Sequence, residues 1–548
     1  MRDTQKMAVI GGVAAAVVGL TGVGVYALVG DDGDGEDGKG TVSAAGDGKA
    51  REVKKGPLSA KEVRSAAKDF LGAWAQGEPK KAAALTDDSG EAGKALAAFR
   101  SKAHVSKLAL TPKAAEGEKV PFSATADISY GSKNGSWSYD SALEIVRDAS
   151  TGKPVVDWKP SVLHPKLKEG QSIRTDEKGT PPVEAVDRNG KPLEASAHPT
   201  LARVITDIGK RYGDKTDGTP GLQVRIVDAK GKTKHVLRQL TKPSPGKLKT
   251  TLDEGVQSAA EKAVDGKSKA AVVAIKPSTG EILAVANAPA KAFNIATSGS
   301  LAPGSTMKVI SSAMLLDKGL ASPGKEHPCP KYFEYGGWKF HNDDKFEIKG
   351  GTFAQSFARS CNTAFISQAP KLKDDDLTKE ARDVFGIGLN WQTGTGTFDG
   401  SVPVQSDAQM ASSLIGQGGV RMNPLNMASV AATAQSGTFR QPVIVPASVD
   451  NRTLAKASRT MKPGVHKDLK SLMKLTAQSG TAAEAMSGLS GDIGAKTGSA
   501  EVDGQKKPNA WFTAYSGDVA SAAVVPASGH GGENAGPIVK KVLQAAGG

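Results

Sequence analysis

The tightest local constraint in this 548-residue chain is the stretch Ala302-Pro303-Gly304-Ser305-Thr306-Met307-Lys308-Val309-Ile310. Pro303 and Gly304 break whatever precedes them, and the run up to Leu316 repeats apolar residues at helical spacing through Met307, Ile310 and Met314. The segment therefore reads as a loop turning into a helix. Positions three apart share a helical face, so the Lys308 amine falls within reach of the Ser305 hydroxyl. Both sit at a helix N-terminus, where free N–H groups and the dipole favour developing negative charge. This is the arrangement of an activated serine nucleophile.

The Ser-x-x-Lys pattern alone is common, and it also occurs at Ser65, Ser150, Ser244, Ser322 and Ser471. The match at Ser305 is set apart by two further motifs downstream of it, Ser360-Cys361-Asn362 and then Lys496-Thr497-Gly498. Ser-x-Asn recurs at Ser132-Lys133-Asn134, but Lys-Thr-Gly occurs once. Such a trio marks penicillin-binding proteins and active-site-serine β-lactamases. The flanks extend the likeness: Val272 to Asn287 (VVAIKPSTGEILAVAN), Phe357 to Phe365 (FARSCNTAF), Ile415 to Ala428 (IGQGGVRMNPLNMA), Ala495 to Glu501 (AKTGSAE) and Ala510 to Tyr515 (AWFTAY). Together they resemble the transpeptidase domain of class B penicillin-binding proteins, over residues 247–548. The resemblance implies an α/β fold, an antiparallel sheet flanked by helices with an all-helical part.

The rest of the chain divides by composition. Met7 to Val29 carries no charged residue, follows Arg2 and Lys6, and is long enough to cross a bilayer as a helix. A cleaved signal peptide competes, but no small-x-small cleavage site follows. The expectation is a cytoplasmic 1–6, a transmembrane anchor at 7–29, and everything later outside the cytoplasm in a single-pass membrane protein. Residues 30–57 are rich in Gly, Asp and Lys and read as a flexible tether. The net charge of +14 comes from scattered lysines without interleaved aromatics, which excludes a nucleic-acid surface and suits an anionic wall or lipid headgroups.

Residues 58–168 read as an α+β unit. Val63, Ala67, Phe70, Leu71 and Trp74 form one helical stripe; Phe122, Ala124, Ala126, Ile128 and Tyr130 share one strand face, and Trp137, Tyr139, Leu143 and Ile145 the next. The close Val156-Asp157-Trp158-Lys159-Pro160-Ser161-Val162-Leu163-His164-Pro165 resembles the end of the NTF2-like domain of methicillin-resistance-type penicillin-binding proteins. It reads as a pedestal. Residues 169–246, with Asp187-Arg188-Asn189-Gly190-Lys191-Pro192-Leu193, resemble a shortened linker or dimer domain. No stretch resembles a glycosyltransferase, so a separate one is an implied partner. The overall resemblance is to actinobacterial members.

The chemistry implied is peptidoglycan cross-linking by a serine D,D-transpeptidase, through an acyl-enzyme that β-lactams also form. Ser305 is the expected nucleophile and Lys308 the base, with Ser360 and Lys496 completing the catalytic set. Asn362, Thr497, Gly498 and Ser499 are expected to hold the stem peptide, the two hydroxyls facing its terminal carboxylate. Gly498 is read as giving the substrate close approach to the backbone. The oxyanion hole is expected from the Ser305 and Ser499 N–H groups. Ser499 stands where the family more often has Thr, and Asn509 where His is common. Cys329 and Cys361 either pair, pinning Ser360 from its neighbour, or remain two buried thiols. No metal or cofactor is called for. The competing functions are a D,D-carboxypeptidase or β-lactamase-like hydrolase on the same fold, and a binding protein without turnover.

Overall fold

A computed structural model of the protein describes residues 54–547. The expected anchor at 7–29 and most of the tether lie outside the described residues; among those described, no helix is long and apolar enough to cross a membrane.

The N-terminal unit starts with the helix Ala60–Ala75, capped by reciprocal bonds between Ser59 and Glu62. Its stripe of Val63, Ala67, Phe70, Leu71 and Trp74 is buried. Two further helices, Pro79–Ala83 and Ser89–Lys102, complete a layer against a four-stranded antiparallel sheet in chain order: Val105–Pro112, Lys119–Tyr130, Lys133–Arg147 and Pro154–Val156. Period-two alternation sends Val120, Phe122, Ala124, Ala126 and Ile128 inward, opposite Trp137, Leu143 and Ile145. Trp74 fills the centre, edge-on to Phe99 at 5.7 Å and Phe122 at 6.0 Å. Tyr130, expected on this face, lies at the strand's end, only partly buried against His104.

The middle segment, read as a shortened linker or dimer domain at 169–246, divides between its two neighbours. The strands Ser172–Lys178, Gly221–Val227 and Thr233–Gln239 form an antiparallel sheet, but its Ile173, Val224 and Ile226 enter the N-terminal core. The other half goes the opposite way. Ala185, Leu193 and the face Val204, Ile208 and Tyr212 of the helix Ala202–Tyr212 enter the C-terminal core. The strand Val183–Val186 pairs in parallel with Gly246–Lys249, straddling the expected border at 246. Too short in apolar residues to bury a core of its own, the segment is a brace divided between its neighbours.

The C-terminal unit is built on a five-stranded antiparallel sheet in the order Ile282–Ala288, Ala270–Ile275, Val519–Val525, Asn509–Ser516, Ile493–Ala500. Both faces are covered, so alternate residues feed two cores. Val272 and Ala274 meet the helices Glu254–Val264 and Gly536–Ala545, while Ala271, Val273 and Ile275 face the helix Pro424–Ser436 and the all-helical part. The helix Lys308–Asp317 is buried on every side from Lys308 to Leu315. That position forces Lys308 inside.

Candidate active site

Ser305 lies on a 3₁₀ turn, Gly304–Met307, and the α-helix begins only at Lys308. Residues three apart eclipse in a 3₁₀ turn, which aligns the pair more closely than an α-helix would. Lys308 Nζ lies 3.0 Å from Ser305 Oγ. It also lies 2.8 Å from the Ser360 carbonyl, 2.7 Å from Asn362 Oδ1 and 3.3 Å from Ser360 Oγ. The two shortest contacts are to oxygens that can only accept, and a neutral amine has two N–H donors. Its lone pair is then left for the hydroxyl side, where Ser305 stands.

The environment favours that neutral form. Lys308 is fully buried, and burial together with the Lys496 charge lowers its pKa well below 10.5, against a smaller opposing pull from Asp343. Lys496, also fully buried, is lowered by burial to about 7. Neither lysine makes an ion pair among the described residues. Each amine instead faces an aromatic ring, Phe365 at 5.5 Å from Lys308 and Phe357 at 5.6 Å from Lys496.

Lys496 reaches across to the second motif, donating to Ser360 Oγ at 2.9 Å and to the Thr497 carbonyl at 3.0 Å. Ser360 thus sits between the two amines. Its φ of +59° is a left-handed conformation that costs a non-glycine residue about 1–3 kcal/mol. Several contacts hold it there: Cys361 is bonded to Cys329, the Ser360 carbonyl accepts from Lys308, and Asn342 braces the next turn. Asn342 is fully buried; its Oδ1 accepts from the N–H groups of Asn362 at 2.7 Å and Thr363 at 3.0 Å. Asn362 itself uses its amide within the protein, Oδ1 on Lys308 and Nδ2 donating to the His341 carbonyl at 3.1 Å.

The third motif lies on the edge strand Ile493–Ala500, with Ser499 on its rim. Thr497 Oγ1 is 2.6 Å from Thr481 Oγ1, which fixes its rotamer. A side chain at Gly498 would sit 3.0 Å from the Pro303 carbonyl and the Thr306 methyl, so glycine here admits the turn that carries Ser305. That contact sets the distance between Ser305 and the strand.

Asn342, Thr481 and His530 are site residues that the motifs do not announce; each is brought in by a loop with no local pattern. The two phenylalanines do carry a signal, standing three residues before Ser360 and three after Asn362.

Lys496 has a folded pKa near 7 and an unfolded one near 10.5, so between them the unfolded state binds more protons and stability rises with pH. Lys496→Met should therefore remove this dependence, so that the parent gains on the order of a few kcal/mol of stability relative to the variant between about pH 7 and pH 10, read as melting temperatures. A difference between the two that is constant with pH would contradict this. The Cys329–Cys361 bond closes a loop of 32 residues, and replacing both cysteines by serine should cost roughly 3–4 kcal/mol in denaturant titration. Loss of less than about 1 kcal/mol would contradict that assignment.

Two family profiles match the chain: residues 270–544 match the penicillin binding protein transpeptidase domain, and residues 62–171 the NTF2-like N-terminal transpeptidase domain. The peptidoglycan D,D-transpeptidase PbpA of Mycolicibacterium smegmatis is 28% identical over 369 residues, covering 56% of this chain and 73% of that protein. MrdA of Acinetobacter baumannii, also a peptidoglycan D,D-transpeptidase, is 27% identical over 44% of this chain and 41% of its own. Among solved structures, Pseudomonas aeruginosa PBP2 matches with a TM-score of 0.53 at 22% identity, over 67% of this chain and 97% of that one. A chain from a peptidoglycan synthase complex that coordinates polymerization and crosslinking matches with a TM-score of 0.53 at 21% identity, over 69% and 92%. With half of its length matched by the transpeptidase profile and its three motifs converging on one buried pair of amines, the chain belongs to the penicillin-binding protein transpeptidase family.

Proposed function

We propose that this protein is a peptidoglycan D,D-transpeptidase acting through an acyl-enzyme on Ser305. The observation that carries the reading is the placement of Lys308 Nζ, its pKa lowered by burial, 3.0 Å from the Ser305 hydroxyl and bonded to the Ser360 carbonyl and Asn362 Oδ1. Lys308 takes the hydroxyl proton as Ser305 Oγ attacks the carbonyl of the penultimate residue of a stem peptide, at its last amide bond. The Ser305 and Ser499 N–H groups stabilise the oxyanion. Ser360, between Lys308 and Lys496, passes the proton to the departing amine as the C–N bond breaks. A second stem peptide's amine then attacks the ester, gives up its proton along the same path and frees Ser305. A β-lactam acylates Ser305 equally, but its amine stays tethered to the acyl group.

Thr497 and Ser499 hold the donor's terminal carboxylate. The segment 7–29 anchors the chain in the cell membrane with the catalytic unit outside, the N-terminal unit acts as a pedestal, and a separate glycosyltransferase supplies the glycan strands.

The test offers the purified chain a donor peptide ending in D-Ala-D-Ala together with a labelled D-amino acid. Exchange of the label into the donor, exceeding simple hydrolysis, is expected. Hydrolysis alone would make the protein a carboxypeptidase.

A further inference from the structure

We infer that His530 is a binding residue for the terminal carboxylate of the acyl donor, and that Asp343 takes the place of that carboxylate beside the imidazole in this structure. The inference rests on the reading above, in which that carboxylate docks beside Ser499.

The two walls of the cleft come from different parts of the chain. One is the edge strand with Ser499; the other is the loop after the strand Trp338–His341, whose Asn342 braces the second motif. His530 and Asp343 meet between them. His530 Nδ1 lies 3.4 Å from Ser499 Oγ and 3.7 Å from Asp343 Oδ2. Their side chains keep 57% and 66% of their exposure, so a ligand can reach both.

The position of His530 is fixed by its neighbour. Gly531 is wedged against the catalytic sheet so closely that a Cβ would fall 1.9 Å from the Trp511 carbonyl and 2.6 Å from the Gly498 carbonyl. Only glycine fits there, and the imidazole beside it is thereby held over the strand carrying the third motif. The Asp343 side is less comfortable, since Asp344 and Lys345 both take positive φ, at +51° and +54°.

The chemistry of this spot is that of a carboxylate receptor already facing a carboxylate. Lys496, the third motif's own cation, turns away from the rim to Ser360 and the Thr497 carbonyl, leaving Ser499 without a charged partner on that side. An imidazole N–H adds a directional donor next to the Ser499 hydroxyl, and bonds from such groups to an ionised carboxylate are stronger than neutral ones. An incoming carboxylate must displace Asp343 from the imidazole and is repelled by it meanwhile. The two residues consequently act in opposite senses.

The experiment measures second-order acylation of the full chain by benzylpenicillin and by its methyl ester, which keeps the β-lactam and removes the carboxylate charge. Asp343 also lies near enough to influence Lys308, and taking the acid-to-ester ratio cancels effects on the base. H530A and H530Q should each lower this ratio about tenfold, and D343N should raise it. An unchanged ratio in H530A, a wild-type ratio in H530Q, or a lowered ratio in D343N would overturn the assignment while leaving acylation of Ser305 intact. If neither compound acylates the wild-type chain at Ser305, the reading beneath it fails and the assignment fails with it.

Discussion

Ser305→Ala is expected to abolish covalent labelling by a fluorescent penicillin while leaving the fold unchanged. The hydroxyl's partner is Lys308 Nζ, and the serine stands half-buried at the head of the buried helix, so losing one oxygen opens no core cavity. The thermal transition should stay within about 1 kcal/mol of the parent, as for most substitutions outside packed cores. Labelling is a different matter, because no second serine stands beside a buried amine in this cleft except Ser360, whose hydroxyl lies between two lysines. Persistent label on Ser360 would mean that the roles of the two serines had been reversed. Label elsewhere would remove the central assignment altogether.

Lys308→Met should cost about 10² to 10⁴ in the acylation rate, the usual worth of a positioned base. Methionine keeps roughly the volume of the side chain beside the Phe365 ring, so the helix should remain in place. The pH dependence makes this prediction more specific. The amine works as a base only when neutral, and burial lowers its pKa well below 10.5. Acylation by the parent should therefore climb as pH rises and level off well before 10.5, and that rising limb should vanish in the variant. Stopped-flow acylation measured across about pH 5 to 10 reads both effects. A limb retained without Lys308 would assign the base to another group.

The parts of this site that are legible in the sequence are those set by short-range geometry. The Ser305–Lys308 approach depends on three residues of one turn, and the Lys496–Ser499 strand on simple alternation. What joins them is not local. Lys496 meets Ser360 across 136 residues, and Asn342 reaches the second motif from a hairpin 20 residues earlier. Nothing in their own neighbourhoods marks Asn342, Thr481 or His530, since a polar residue in a loop reads the same whether it braces a site or faces water. Gly498 is legible as a close approach, but its neighbour becomes clear only once the Pro303 turn packs against it. Likewise the stretch 169–246 reads as a shortened linker or dimer domain from the resemblance at Asp187 to Leu193. Its few apolar residues could complete two existing cores but not make a third, and only the packing of Ile173 and Val224 on one side and Val204 and Ile208 on the other reveals the division.

The most direct measurement is intact-mass spectrometry of the full chain mixed with benzylpenicillin and followed over hours, with the adduct mapped by peptide digestion. A single stable adduct, one drug per chain on the peptide holding Ser305, is the predicted result. Rapid loss of the adduct with continued drug consumption, an adduct on another residue, or none at all would contradict an acylating transpeptidase built on Ser305.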